Sequence, residues 1–163
     1  MAVYLIGLPG SGKTTLGKQL AAIFEIPFFD LDAEIERQSG KSIPQLFEEN
    51  GEDFFREQER SCLQAFLNPG DFILATGGGT PCFFDNMNRM LASGTVVFLN
   101  PPMDEILSRL DAEERKARPL FSNAESIAEK LTSLLDERIG YYQSAQITWS
   151  GSDVAELAAI LRS

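Results

Sequence analysis

The 163-residue sequence contains no histidine and only two cysteines, which lie far apart in the chain. Without histidine, a mechanism that needs a Ser-His or Cys-His pair is excluded. Cys62 and Cys82 form no C-x-x-C pair, and protein zinc sites are built mainly from histidines and paired cysteines, so the sequence also argues against zinc. We interpret both cysteines as buried free thiols.

Two further absences bear on location and partners. No apolar run approaches the ~20 residues that cross a membrane, and the first apolar stretch stops at Gly7 with no basic segment before it, unlike a signal peptide. We therefore expect a cytoplasmic protein without membrane contact. Basic residues are also few: 14 Lys and Arg against 24 Asp and Glu give a net charge of −10, which argues against a general nucleic-acid surface.

What the sequence does contain is a complete phosphate-binding loop. Residues 7–14 match G-x-x-x-x-G-K-[ST], after an apolar run at 2–6 that is typical of a buried strand. A helical apolar spacing follows at 15–24. Strand, glycine-rich turn and helix are the context that this motif requires, so the sequence predicts binding of a nucleoside triphosphate. The same loop serves kinases, GTPases, motors and transporters, so the motif leaves the use of the nucleotide open.

The residue types in this loop suit a polyphosphate. Glycines let successive backbone N–H groups converge on phosphate oxygens, and the following helix presents its positive N-terminal end. Lys13 can add a full charge at the β- and γ-phosphates, and the Thr14 hydroxyl can ligate Mg²⁺. The predicted nucleotide-binding residues of the loop are Gly7, Gly10, Ser11, Gly12, Lys13, Thr14 and Thr15.

Strand and helix patterns alternate along the whole chain. Beyond 2–6, apolar segments at 27–29, 72–75, 95–99 and 147–149 predict strands. Helices are predicted at 15–24, 33–38, 42–50, 52–67, 84–91, 103–110, 123–138 and 152–161, the last capped by Ser152. This alternation predicts a single α/β domain over 1–163, with a parallel sheet of about five strands and helices on both faces.

Acidic residues follow the second predicted strand. Asp30 and Asp32 are two positions apart, so on an extended segment both carboxylates face the same side. They then point into the crevice beyond the carboxyl ends of the strands, where ligands of open α/β sheets bind. The alternative is helix capping, with Asp32 as the N-cap of the helix at 33–38.

The glycine run at 77–79 comes directly after the strand at 72–75. Glycines at the end of a buried strand indicate a close approach of the backbone to another group; a flexible turn is the alternative.

Three charged features each allow two interpretations. Arg56 either binds a ligand or forms a surface ion pair with nearby acids, and Arg138 either binds a ligand or complements a helix dipole. The charged segment 111–123 is either a solvated loop or a mobile lid.

Together these parts resemble shikimate kinase over essentially the whole chain. The resemblance rests on the joint order and spacing of residues 7–14, Asp30, Asp32, Arg56, 77–79, Arg118, Arg138 and Tyr142. It implies a P-loop kinase fold with a small helical substrate-binding subdomain at about 32–62 and a mobile lid at about 111–123. The implied reaction transfers the γ-phosphoryl group of ATP to the 3-hydroxyl of shikimate with Mg²⁺, in aromatic amino-acid (chorismate) biosynthesis. We expect a monomer.

On the nucleotide side, the resemblance implies catalytic roles for Lys13 and for Arg118, a lid residue at the transferring phosphate. It places Arg109 beside adenine, and Thr14 and Asp30 at the metal, Asp30 acting through water.

On the acceptor side, the resemblance implies that Asp32 contacts the accepting hydroxyl. Arg56 and Arg138 bind the shikimate carboxylate, and the backbones of Gly78 and Gly79 line the ring. Further residues that resemble the lining of the substrate subdomain are Ile43, Phe47, Phe55 and Glu59.

The sequence departs from the family pattern at Gly140, where proline is common, and has no conventional Walker-B acid after the strand at 72–75. Two other functions stay open on the residues alone. One is another kinase of the same fold, acting on gluconate or a nucleoside monophosphate, which the 77–79 glycines and Arg56 disfavour. The other is a non-catalytic nucleotide-binding module, against which intact Lys13 and Asp32 argue.

Overall fold

Five parallel strands form the single sheet of the computed structural model, which describes residues 1–117 and 124–163. The strands are β1 (Ala2–Ile6), β2 (Phe28–Asp30), β3 (Phe72–Ala75), β4 (Thr95–Leu99) and β5 (Ile147–Trp149). Their order across the sheet is β2-β3-β1-β4-β5, and every neighbouring pair is parallel. The predicted five-stranded parallel sheet is confirmed. Since β1 lies in the centre, the loop that follows it opens at the middle of the carboxyl edge of the sheet.

Helices cover both faces, as predicted. They are α1 (Lys13–Phe24), α2 (Leu31–Ser39), α3 (Ile43–Gln64), α4 (Asn86–Ser93), α5 (Met103–Ala117), α6 (Ala124–Tyr142) and α7 (Val154–Arg162), with a short 3₁₀ helix at Thr80–Cys82. Alternate residues of the central strand face opposite layers. Val3 and Leu5 pack in the layer of α1 and α7, whereas Tyr4 and Ile6 pack in the layer of the other helices. Burial on both faces explains why the three central strands, β1, β3 and β4, are almost entirely apolar.

Helix α3 joins what the sequence predicts as two helices. Its N-terminus carries the expected capping box, in which Ser42 and Gln45 bond each other's backbone N–H groups. Gly51 then departs from helical geometry, with φ 83° and ψ 173°, so the predicted break appears as a kink within one element. Beyond the kink, α3 carries Arg56 and Glu59 to the carboxyl edge of the sheet.

Several predicted helix ends differ from the structure by a few residues, and three of them need correction. The N-cap of α7 is Asp153, whose carboxylate accepts the Ala155 N–H at 2.9 Å, and not Ser152. Helix α6 extends to Tyr142, so Arg138 lies a full turn inside the helix and does not end it. Helix α5 continues to Ala117, beyond its predicted end and into the predicted lid. Among the described residues, no helix is long and apolar enough to span a membrane.

Candidate active site

The phosphate-binding loop has the conformation that its glycines allow. Gly7, Gly10 and Gly12 have φ of 146°, 79° and 92°, in the region that favours glycine. The Ser11 N–H donates to the Leu8 carbonyl at 3.1 Å and closes the turn. Gly12, the N-cap of α1, offers no side chain to cap the helix. The first N–H groups of α1 therefore stay available for an anion.

Lys13 folds back on this loop. Its ammonium donates to the carbonyls of Gly7 and Leu8 at 2.8 and 2.9 Å. Burial lowers the pKa of Lys13 to about 8, against the attraction of Asp32 and Asp30. The amine is thus still protonated at neutral pH, and it can exchange backbone carbonyls for phosphate oxygens.

Asp30 connects the loop to the second strand. Its Oδ2 accepts the Thr14 hydroxyl at 3.1 Å, and its Oδ1 accepts the Ala33 N–H at 3.1 Å as the N-cap of α2. The capping role that was the alternative for Asp32 therefore belongs to Asp30. A hydroxyl and a carboxylate oxygen suit Mg²⁺, which keeps several waters and takes phosphate oxygens as its other ligands. Among the residues whose side chains the structure describes, 1–110 and 127–163, no group of three or more His, Cys, Asp or Glu is arranged for a metal.

Asp32 reaches the same edge by a different route from the one expected. The strand ends at Asp30, and Asp32 lies in the first turn of α2, so alternation along a strand is not what aims its carboxylate. A Cβ built on Gly77 would lie 3.0 Å from Asp32 Oδ1, which places the carboxylate against the glycine run. Burial raises the pKa of Asp32 to about 6, and the negative charges of Asp30 and Glu59 add to the shift.

Arg56 is buried, with 8% of its surface exposed, so the surface ion pair considered above is wrong in its location. Its Nη1 donates to Oε1 of the fully buried Glu59 at 2.9 Å, and its Nη2 donates to Glu52 at 3.5 Å. Its guanidinium also lies 4.0 Å from the centre of the Phe83 ring. A buried carboxylate and an aromatic face thus hold this arginine in one position.

The glycine run after β3 is a place of close approach and not simply a flexible turn. A Cβ on Gly79 would lie 2.6 Å from Arg56 Nη2, and one on Gly78 would lie 2.9 Å from Arg138 Nη1. Neither glycine has a positive φ, so space is the requirement. The two arginines therefore flank neighbouring residues of one loop. Tyr142 holds that loop by donating its hydroxyl to the Gly78 carbonyl at 2.6 Å.

Arg109 lies on the other side of the phosphate loop. Its Nη1 donates to the Gly10 carbonyl at 3.0 Å, and it borders a cleft of about 270 Å³. Thr15 lines the same cleft, together with Trp149 from the end of β5. Arg118 and the remainder of the predicted lid, 118–123, lie outside the described residues.

Comparison with known proteins agrees with this geometry. The shikimate kinase family model matches residues 9–162. The shikimate kinase of Parabacteroides distasonis is 39% identical over 167 aligned residues, covering 98% of this chain and 96% of that protein. The chain belongs to the shikimate kinase family.

Solved structures of shikimate kinases share the fold closely. That of the Bacteroides thetaiotaomicron enzyme has a TM-score of 0.91 at 34% identity, covering 100% of this chain and 99% of that one. That of the Acinetobacter baumannii enzyme, in complex with shikimate, has a TM-score of 0.85 at 35% identity, covering 99% and 90%. The P-loop kinase fold is therefore confirmed.

Some site residues escaped the sequence reasoning. Trp149 and Gly151 border the cleft near Arg109 but belong to no motif. The signal that was available is their place at the carboxyl end of β5, on the edge where ligands of such sheets bind. Thr80 and Phe83 follow the glycine run and contact Glu59 and Arg56, respectively. Their only signal was proximity in sequence to the glycines.

Gly140 departs from the family pattern without breaking the helix. Helix α6 runs through it to Tyr142, and a Cβ on Gly140 would meet no atom within 4 Å. Tyr142 is packed in the core although the expected proline is absent. Its side chain is fully buried, and its ring stacks on Phe98 with 4.9 Å between the ring centres.

Proposed function

We propose that this shikimate kinase family member transfers the γ-phosphoryl group of ATP to the 3-hydroxyl of shikimate, giving shikimate 3-phosphate and ADP. The observation that carries the proposal is the meeting of Arg56 and Arg138 on one glycine loop, which itself adjoins the phosphate loop. A Cβ on Gly78 would lie 3.1 Å from Pro9 Cδ and 3.5 Å from the Gly7 carbonyl. Sites for a small carboxylate and for a triphosphate are therefore neighbours.

In the proposed nucleotide half, the loop N–H groups and Lys13 bind the phosphates. The 270 Å³ cleft takes the base beside Arg109. Thr14 and Asp30 would hold Mg²⁺, which supplies charge neutralisation at the phosphates when bound. Arg118 is proposed to act at the transferring phosphate, a role that rests on the family resemblance and on the charge it would add there.

In the proposed acceptor half, Arg56 and Arg138 hold the carboxylate of shikimate. A guanidinium offers two parallel donors that match a carboxylate, which the single ammonium of lysine does not. The backbones of Gly78 and Gly79 border the ring, and the segment at about 32–62, which is α2 and most of α3, forms the proposed substrate-binding subdomain. Since Glu59 and the Phe83 ring orient Arg56 before the acceptor arrives, little ordering of this arginine is needed on binding.

Asp32 is proposed to orient the reacting hydroxyl and to accept its proton. The hydroxyl oxygen forms the new bond to the γ-phosphorus, the bond from that phosphorus to the β–γ bridging oxygen breaks, and ADP leaves. A carboxylate with a pKa near 6 accepts a hydrogen bond from the hydroxyl and can take its proton. Because phosphoryl transfer passes through a loose transition state, positioning contributes more than early proton removal.

The decisive experiment is a coupled ADP-release assay with ATP, Mg²⁺ and shikimate, run beside gluconate and nucleoside monophosphates. We expect ADP only with shikimate. Release with another acceptor alone would keep the kinase fold and overturn the substrate. No turnover with any acceptor, together with no ATP hydrolysis, would favour a non-catalytic nucleotide-binding module. The proposal includes a monomeric, cytoplasmic enzyme of aromatic amino-acid biosynthesis.

A further inference from the structure

Glu59 is a fully buried carboxylate, and its two oxygens have different partners. Oε1 accepts Arg56 Nη1 at 2.9 Å, and Oε2 accepts the Thr80 hydroxyl at 2.7 Å. A buried carboxylate that loses one of two donors carries an unpaired acceptor, which is costly where water cannot replace it. The orientation of Glu59 therefore depends on Thr80 as well as on Arg56.

Thr80 is itself held on three sides. It is fully buried, its N–H donates to the Gly77 carbonyl at 3.2 Å, and its own carbonyl accepts the Asn86 side chain at 3.0 Å. The side-chain hydroxyl is thus a fixed donor directly after the glycine run. A Cβ on Gly77 would lie 3.0 Å from Glu59 Oε2 and 3.1 Å from Thr80 Oγ1, so both groups rest against that glycine.

The consequence reaches the acceptor site through one residue. Glu59 is the buried partner of Arg56, and the Arg56 guanidinium lies so close to Gly79 that a Cβ there would be 2.6 Å from Nη2, which leaves the guanidinium little room to move. If Oε2 loses its donor, the carboxylate turns toward other donors, and the bond to Arg56 Nη1 changes direction. A bidentate arginine site tolerates such a rotation poorly.

We infer that Thr80 is a positioning residue for the acceptor: through Glu59 it fixes the guanidinium of Arg56 in the orientation that receives the carboxylate of shikimate. This inference rests on the proposed function. It concerns binding of the acceptor and predicts no change on the nucleotide side, because Thr80 makes no hydrogen bond to the phosphate loop among the described residues.

The test uses Thr80→Val, which keeps the shape and removes the donor, and Thr80→Ser, which keeps the donor. The matched control is Thr76→Val. Thr76 is also buried and lies directly after β3, on the other side of the glycine run, but its hydroxyl donates to the Leu5 and Gly77 carbonyls and not to Glu59. All variants are measured by steady-state kinetics with each substrate varied, by calorimetric binding of shikimate, and by thermal unfolding.

We expect Thr80→Val to raise both KM and Kd for shikimate about tenfold, the effect of leaving a buried acceptor unpaired. KM for ATP should stay within about twofold of wild type, and Thr80→Ser should restore the shikimate constants. Thr76→Val should lower Tm without changing KM for shikimate. These differences would distinguish positioning from a merely structural role.

Unchanged shikimate constants in a folded Thr80→Val, or an equal rise in Thr76→Val, would overturn the inference. If Thr80→Val does not fold, Thr80→Cys replaces it, since a thiol is a weak donor. A partial rise in KM for shikimate would then support positioning, and an unchanged KM would refute it. Absence of turnover of shikimate by the wild-type enzyme would instead mark failure of the proposed function, and calorimetry would still show whether Thr80 affects binding.

Discussion

The two halves of the proposed site, one for the nucleotide and one for the acceptor, are built differently. The nucleotide half is one contiguous loop, residues 7–14, whose conformation follows from its own glycines. The acceptor half is assembled from four separate parts of the chain: α2 with Asp32, α3 with Arg56 and Glu59, the glycine run after β3, and α6 with Arg138. A contiguous loop depends on local backbone preference, whereas a dispersed site depends on the packing of every element that contributes to it.

The cations of the two halves differ in the same way. Lys13 donates to backbone carbonyls, which are neutral partners that it can leave for phosphate oxygens. Arg56 is paired with the buried carboxylate of Glu59 and stays in place. Removing Lys13 should therefore affect chemistry with little structural change, whereas removing Arg56 should affect both binding and stability.

The largest effect is expected from Arg56→Ala. The substitution removes a guanidinium proposed to bind the carboxylate of shikimate, and it leaves Glu59 buried without its charged partner. The binding free energy for shikimate should therefore weaken by about 2–5 kcal/mol, the range for truncating one member of a buried charge pair. Calorimetry with shikimate measures the loss, and the affinity for ATP should be unchanged. Arg60→Ala is the control, since Arg60 lies one turn further on α3, over the Phe84 ring. Equal losses in both variants would contradict the assignment.

A comparable effect with a different pattern is expected from Lys13→Met. The substitution keeps the length of the side chain and removes the charge at the phosphates, so kcat should fall about 10²–10³-fold, as when a single stabilising donor is lost from an active site. The affinity for shikimate should remain within about twofold of wild type. A loss of shikimate affinity equal to that of Arg56→Ala would show that the two halves are not separable.

The same contrast explains what could be predicted from the sequence. The strands and the phosphate loop were predictable because apolar runs and a glycine motif are local signals. The partners of Arg56 were only partly predictable: helical spacing indicates Glu59 and Glu52, but spacing does not tell whether the pair is buried. Burial here comes from Phe83 and the glycine run, which reach α3 only through tertiary packing.

Two errors have physical reasons of the same kind. Asp32 lies on a helix because β2 is only three residues long and Asp30 caps α2 immediately. Helix α6 continues past Arg138 because its last turn is stabilised by the burial of Tyr142, a tertiary contact that outweighs the low helix propensity of Gly140.

A smaller effect is expected from the charge of Asp32. Its pKa is raised from 3.8 to about 6, so the folded state binds the proton more tightly than the unfolded state, and stability falls as pH rises between these values. Asp32→Asn should therefore be more stable than wild type at pH 7, by at most about 1–2 kcal/mol after solvent screening. The difference should shrink toward pH 4. Thermal unfolding at both values, without nucleotide and with a chelator, measures it.

In wild type the same titration should appear in kinetics, because a protonated Asp32 cannot accept the reacting hydroxyl. The value of kcat/KM for shikimate should decrease as pH falls through about 6. An Asp32→Asn variant that is less stable than wild type at pH 7 would mean that the carboxylate is favourably solvated in the folded protein. The decrease of kcat/KM at low pH would then have to come from protonation of another group.

The smallest effect is expected from Gly140→Ala, which contrasts with the same substitution at Gly79. Gly140 is exposed within α6, has no positive φ, and has open space where a Cβ would lie. Alanine there should raise the free energy of unfolding by about 0.4–1 kcal/mol, because it lowers the conformational entropy of the unfolded chain, and the kinetics should be unchanged.

Gly79→Ala is the counterpart, since its Cβ would lie 2.6 Å from Arg56 Nη2, and it should weaken shikimate binding. Urea unfolding and the coupled assay measure both; destabilisation by Gly140→Ala would mean that α6 needs flexibility at this point.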